Sequence, residues 1–79
     1  SFIDCNLREA YFDEADLTAS VFKECDLLRA SFNKTNLEKV DFSTSFNFII
    51  NPSGNRLYKT IFSEEGLRGL VAHLNIIIK

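Results

Sequence analysis

Ala15-Asp16-Leu17-Thr18-Ala19 and Cys25-Asp26-Leu27-Leu28-Arg29 follow one plan: a small residue, an aspartate, a leucine and two variable positions. Cys5-Asn6-Leu7-Arg8-Glu9 has the same form, twenty residues before the second of these. Counting in fives from Phe2 extends the plan to Phe2, Leu7, Phe12, Leu17, Phe22, Leu27, Phe32, Leu37 and Phe42. Leu and Phe make up roughly a fifth of the chain, so nine successive hits have chance odds on the order of one in a million. Two residues before these positions stand Cys5, Ala10, Ala15, Ser20, Cys25, Ala30, Thr35 and Val40, all small or compact. Immediately before each leucine stands Asn6, Asp16, Asp26 or Asn36.

A period of five fits neither an α-helix at 3.6 residues per turn nor a strand with its alternation of two. An amphipathic helix would need apolar residues at i, i+3, i+4 and i+7, which this register does not supply. A unit with one large and one small inward position describes one side of a square coil, and four units close a turn of twenty residues. Phe2, Phe22, Phe42 and Phe62 then stack in one column, and Leu17, Leu37 and Leu57 in another. Leu7 lies under Leu27 and Phe12 under Phe32, with coils about 4.8 Å apart. The Asn and Asp side chains are suited to bond backbone groups at the corners. Cys5 and Cys25 fall into one column, where they read as small core residues rather than a disulfide or metal pair.

This pattern resembles the pentapeptide repeat family, whose unit is A(D/N)LXX. The resemblance runs without a break from residue 1 to about 46. It implies an all-β solenoid, a right-handed quadrilateral β-helix of about three coils.

Asn47 and Pro52 interrupt the register, and Leu57 and Phe62 resume it in phase. The β-helix is therefore assigned to residues 1–62, with an irregular last coil over 47–56. Pro52-Ser53-Gly54 reads as a turn, and Phe48 or Ile50 is expected to replace the missing inward residues. The irregular part is either a functional loop or an atypical terminal coil that closes the core. From Ser63, which reads as an N-cap and is followed by Glu64 and Glu65, the period becomes helical. Leu67, Leu70, Val71 and Leu74 share one face, and Gly66 and Gly69 allow close approach to whatever the helix covers. Residues 63–79 are thus a short capping α-helix followed by a terminal β-strand.

Ile76, Ile77 and Ile78 in succession ask for burial on both faces of that strand. Pairing with a second copy satisfies this, and a strand folded back on its own chain is the alternative. The module resembles the C-terminal dimerisation module of the quinolone-resistance (Qnr) branch, which implies an interface of Leu67, Leu70, Val71, Leu74, Ile76, Ile77 and Ile78 in a homodimer. The start at Ser1 in mid-pattern suggests the C-terminal piece of a longer protein.

The chemistry sought in the sequence is mostly of binding. No nucleophile–base pair, phosphate-cradling loop or zinc spacing is present, so an enzyme, a cofactor and a small-molecule substrate are not expected. His73 is the single histidine and reads as a surface or interface residue. A net charge of -2 opposes direct nucleic-acid binding. No apolar run is long enough to cross a membrane as a helix, and the cysteine usage makes a cytoplasmic location the expectation.

Up to Asp41 the repeat body carries nine acidic against five basic residues. The Qnr resemblance implies a negatively charged rod that occupies the DNA-binding saddle of DNA gyrase or topoisomerase IV and protects against fluoroquinolones. An ordinary solvated acidic surface on a scaffolding module of unrelated partner is the alternative.

Overall fold

Parallel backbone bridges join residues twenty apart on four successive sides of the chain. Phe2 pairs with Phe22, Asn6 with Asp26, Tyr11 with Ser31 and Asp16 with Asn36. The next turn repeats the offset at Val21–Asp41 and Asp26–Phe46, and then at Asn36–Arg56 and Asp41–Ile61. The computed structural model describes residues 1–74 together with Ile76 and Ile77. Among the described residues only β1 (Phe2–Ile3) and β2 (Phe22–Lys23) are long enough to count as strands. The chain is a β-solenoid of stacked twenty-residue turns, 33 × 23 × 23 Å.

The corners follow from the five-residue unit. Ala10, Ala15, Ser20, Ala30, Val40, Ser45 and Thr60 each donate a backbone N–H to the carbonyl three residues earlier, closing a β-turn. In the same units Arg8, Thr18, Leu28, Glu38 and Ser43 donate their N–H to Oδ1 of the Asn or Asp two residues back, at 2.8–3.2 Å. The second central residue of most corners lies in the left-handed region: Glu9, Glu14, Ala19, Arg29, Lys39 and Lys59 have φ of 55 to 63°. An L-residue there costs about 1–2 kcal/mol. None of the three glycines occupies such a position, so the inter-coil contacts must offset that strain.

Inside, like stacks on like. The rings of Phe2, Phe22, Phe42 and Phe62 are stacked with centroids 4.8, 5.0 and 5.6 Å apart. Phe12 stacks on Phe32 at 5.1 Å, and the two columns meet edge to face at 5.7–6.1 Å. Phe22, Leu27, Phe32, Leu37 and Phe42 are buried, while Phe2, Leu7, Phe12, Leu17, Leu57 and Phe62 are partly buried against them. A register residue is fully enclosed only when a turn lies on each side of it.

Three corners lack the turn bond, and at two of them a side chain from the next coil supplies both partners. Asn55 accepts from the Thr35 N–H at 3.0 Å and donates to the Phe32 carbonyl at 2.9 Å. The Ser45 hydroxyl accepts from the Cys25 N–H at 3.3 Å and donates to the Phe22 carbonyl. At the third, Phe2–Cys5, the Cys25 thiol sits 3.4 Å from the Phe2 carbonyl. Thr35 and Thr60 hydroxyls reach the Phe12 and Leu37 carbonyls in the same way, at 2.8 and 2.7 Å. The small inward column is therefore also a column of donors, a role that size alone does not reveal.

The irregular segment keeps the coil length, since Asp26–Phe46 before it and Asn36–Arg56 after it both pair at twenty. Phe48 and Ile50 are both buried, and Phe48 lies 5.4 and 5.7 Å from the rings of Phe42 and Phe62. Pro52–Gly54 forms a single 3-10 turn, with Asn51 Oδ1 accepting from Ser53 N–H.

The C-terminal part holds a short helix, as expected, but not one continuous helix. It is a four-residue α1 (Arg68–Val71) between 3-10 turns at Glu65–Leu67 and Ala72–Leu74. Gly66 and Gly69 lower helix propensity by about 1 kcal/mol each, and the Gly69 carbonyl is tied to Ile50 N–H at 2.9 Å. Ser63 does cap the segment, its hydroxyl accepting from Gly66 N–H at 3.0 Å. The terminal strand is not formed by Ile76 and Ile77, which are exposed and carry no strand pairing. One chain alone gives three successive isoleucines no cover on two faces. Asn75, Ile78 and Lys79 lie outside the described residues.

Ser45→Ala and Asn55→Ala each strand a backbone donor and acceptor at an unclosed corner. Each is expected to lower stability by about 1–3 kcal/mol in urea titration. Loss of less than half a kcal/mol from both would contradict the bridging role.

Candidate interaction surfaces

The outward positions divide the solenoid into two electrostatic zones. Residues 1–20 hold Asp4, Glu9, Asp13, Glu14 and Asp16 against Arg8 alone. The second coil, 21–40, holds Glu24, Asp26 and Glu38 against Lys23, Arg29, Lys34 and Lys39. The acidic excess expected for the whole repeat body is therefore confined to its first turn. The left-handed corners show the same change of sign, from Asp4, Glu9, Glu14 and Glu24 to Arg29, Lys34, Lys39 and Lys59.

Several carboxylates are fixed by ladders that cross coils. Arg8 Nε donates to Asp26 Oδ2 at 2.6 Å, and Asn47 Nδ2 donates to Asp26 Oδ1 at 3.0 Å, so three coils are linked on one side. Asp13 accepts from the Ser31 hydroxyl and from both the backbone and the side-chain amide of Asn33. Those bonds hold Asp13 below the usual carboxylate range, and bonds from Asn47 and Arg8 do the same for Asp26. The Thr18 and Ser43 bonds lower Asp16 and Asp41. Glu24 moves up, because it shares a hydrogen bond with Asp4 and is repelled by it. Burial pushes the Cys25 thiol up as well, which makes it a poor nucleophile. Cys5 and Cys25 are free thiols. Among the described residues no three His, Cys, Asp or Glu side chains gather as metal ligands would, and no helix is long and apolar enough to cross a membrane.

The C-terminal residues separate by contact. Leu70 packs on the core and Val71 is half-buried, whereas Leu67, Leu74, Ile76 and Ile77 are exposed. Ile78 lies outside the described residues. The segment rests on Phe48 through its glycines: a Cβ on Gly69 would lie 2.3 Å from the Phe48 carbonyl oxygen, and one on Gly66 3.0 Å from the Phe48 ring. Leu57 and Phe62, the last two register residues, remain only partly buried.

Between this segment and the third coil runs an open groove of about 800 Å³, floored by Ser45 and Phe48 and walled by Thr44, Phe46 and Asn47 on one side and Glu64 and Glu65 on the other. The sequence gives one signal for it: where a fourth coil should follow Phe62, the period turns helical.

Repeat, corner bond and stacked column define a class of protein, the pentapeptide-repeat solenoids. Residues 5–43 match the pentapeptide-repeat family in eight copies, and this chain is a pentapeptide-repeat protein. No curated protein matches it. Among solved structures it is similar to QnrB1, a plasmid-mediated fluoroquinolone resistance protein, at 17% identity and a TM-score of 0.46. That alignment covers 94% of this chain and 42% of QnrB1, so the chain spans less than half of that protein's length.

Gly69→Ala is expected to destabilise the chain far more than the few tenths typical of an exposed helix site, because backbone stands where the methyl would go. Gly66→Ala, which meets the movable ring of Phe48, is expected to cost less. The reverse order in thermal melts would contradict the packing described.

Acid should also weaken the fold. Carboxylates held low in the folded state contribute their stability above their unfolded pKa of about 3.9 and lose it as pH falls toward the lowered value. Asp13, Asp16, Asp26 and Asp41 act in that sense, and Glu24 opposes them. The urea midpoint is expected to fall below about pH 4, with a shallower slope in Asp16→Asn, which keeps the Oδ1 acceptor. A midpoint that rises on acidification would contradict the assignment.

Proposed function

We propose that the chain is a protein-binding solenoid, a right-handed quadrilateral β-helix, that dimerises through its C-terminal module and presents its acidic first coil to a DNA-binding surface on another protein. DNA gyrase and topoisomerase IV are the partners in this reading, with protection from fluoroquinolones as the outcome, in the cytoplasm and without catalysis. The observation that carries it is the outward acidic set of the first coil, Asp4, Glu9, Asp13, Glu14 and Asp16 against Arg8, in which hydrogen bonds hold Asp13 and Asp16 in place. Carboxylates carried on a folded coil offer a DNA-binding saddle a pattern of negative charge without the flexibility of an acidic tail.

The dimer rests on Leu67, Leu74, Ile76 and Ile77, four large apolar side chains left exposed close together in sequence. Ile78 is assigned to the same interface by sequence, and Leu70 and Val71 support it from beneath. A second reading, a scaffold for an unrelated partner, is favoured by the basic corners of the second and third coils, Arg29, Lys34, Lys39 and Lys59, which no mimic of DNA requires.

Gyrase supercoiling with and without ciprofloxacin separates the two. The first reading predicts that micromolar protein restores supercoiling in the presence of drug, and that added salt weakens the effect. No change at any concentration would leave the scaffold. Sedimentation of Leu74→Glu and Ile77→Glu tests the dimer: wild type is expected at twice the monomer mass and both variants at the monomer mass.

A further inference from the structure

We propose that the groove between the third coil and the C-terminal helical segment binds an extended peptide carrying a basic side chain, added as a β-strand to the edge at residues 43–47. Below residues 45–47 the ladder on this side is continuous, and beside it Glu24 N–H bonds the Thr44 hydroxyl at 3.0 Å. Leu7 N–H bonds Asp26 carbonyl and Leu27 N–H bonds Phe46 carbonyl, at 2.9 and 3.0 Å, and Phe46 N–H bonds Cys25 carbonyl at 3.1 Å. The equivalent upward bonds would join Thr44 and Asn47 N–H to residues 63 and 66, and Gly66 N–H to the Ser45 carbonyl. None of these is made: Gly66 N–H goes to the Ser63 hydroxyl, and the chain has turned away into helix. Among the described residues the Thr44 and Asn47 N–H and the Ser45 carbonyl, all of residues lining the groove, are therefore left without backbone partners, with Asn47 in the left-handed region at φ 66°.

Peptides recognise such an edge through main-chain bonds, with side chains adding selectivity. Here the strand's carbonyls would accept from Thr44 and Asn47 N–H, and one of its amides would donate to the Ser45 carbonyl. Phe46, exposed beside the edge, offers apolar contact to a strand side chain on that wall. The opposite wall decides the charge. Glu64 and Glu65 outnumber Arg68 there, and neither glutamate forms an ion pair among the described residues. A strand with Lys or Arg opposite those carboxylates is matched, and an acidic strand is repelled.

The proposal does not depend on the gyrase reading, and its test does not use gyrase. The full ¹⁵N-labelled chain is titrated with Ac-Thr-Val-Lys-Val-Thr-NH₂, with the Lys→Glu peptide and a peptide bearing proline in place of its central lysine as controls. The expected result is saturable shifts of the Thr44 and Asn47 amide signals with the lysine peptide and none with proline. The Lys→Glu peptide is expected to bind about threefold more weakly or worse, as is the lysine peptide to Glu64→Gln/Glu65→Gln. Shifts confined to other residues, or none, overturn the proposal. So does slow, concentration-dependent exchange of the Thr44 and Asn47 amides before any peptide is added, which would mean that a second copy of the chain already fills the groove.

Discussion

The constraint on which the whole chain depends is that each inward side chain must be covered by one of its own kind, twenty residues on. Full burial of a Phe or Leu contributes about 1.5–3 kcal/mol, whereas a net backbone hydrogen bond contributes about 1 kcal/mol. Register is therefore set by the columns, and the inter-coil ladder follows. A slip of one residue would place a corner residue such as Lys23 or Lys39 in the stack, and a slip of five would put leucine over phenylalanine in every column. The same constraint explains the tolerance of nine non-glycine residues at left-handed corners of the repeat. Each is strained on its own, but the columns fix the path of the chain through every corner.

Burial grows with the number of neighbours in the stack. Phe22 and Leu27 are completely enclosed, while Phe2 and Leu7, one turn earlier, are not. At the other end no complete fourth turn forms. Phe48, one residue off the register, packs against the rings of Phe42 and Phe62, and two glycines let the helical segment settle on it. This arrangement closes the core locally but leaves part of a coil edge uncovered, so the irregular closure and the groove have one structural cause.

The solenoid was legible in the residues because its period is written in large apolar side chains that nothing else explains. Cys5 and Cys25 belong to a column, as their spacing implies, and the Asn and Asp residues before the leucines bond the corners as their chemistry suggests. Ser45 and Asn55 were not legible in that way. Their work is to bridge an unclosed turn in a neighbouring coil, and no local pattern announces which corner will lack its own bond. The left-handed corners were hidden for the opposite reason, since glycine usually marks such positions and here charged residues and alanine occupy them. The charge division was masked by summing acids as far as Asp41, although the excess stops near residue 20. The isoleucine run reads as a strand, and Ile76 and Ile77 show no strand pairing among the described residues.

The central claim is an offset of twenty residues on all four sides. Solution NMR tests it most directly, through nuclear Overhauser contacts between backbone protons of neighbouring coils. The account predicts contacts linking Phe2 with Phe22, Asn6 with Asp26, Tyr11 with Ser31 and Asp16 with Asn36, and their absence between Ser31 and Asn51, where the ladder is interrupted. Contacts at any other constant offset, or a run of contacts three and four residues apart through residues 2–42, would contradict it.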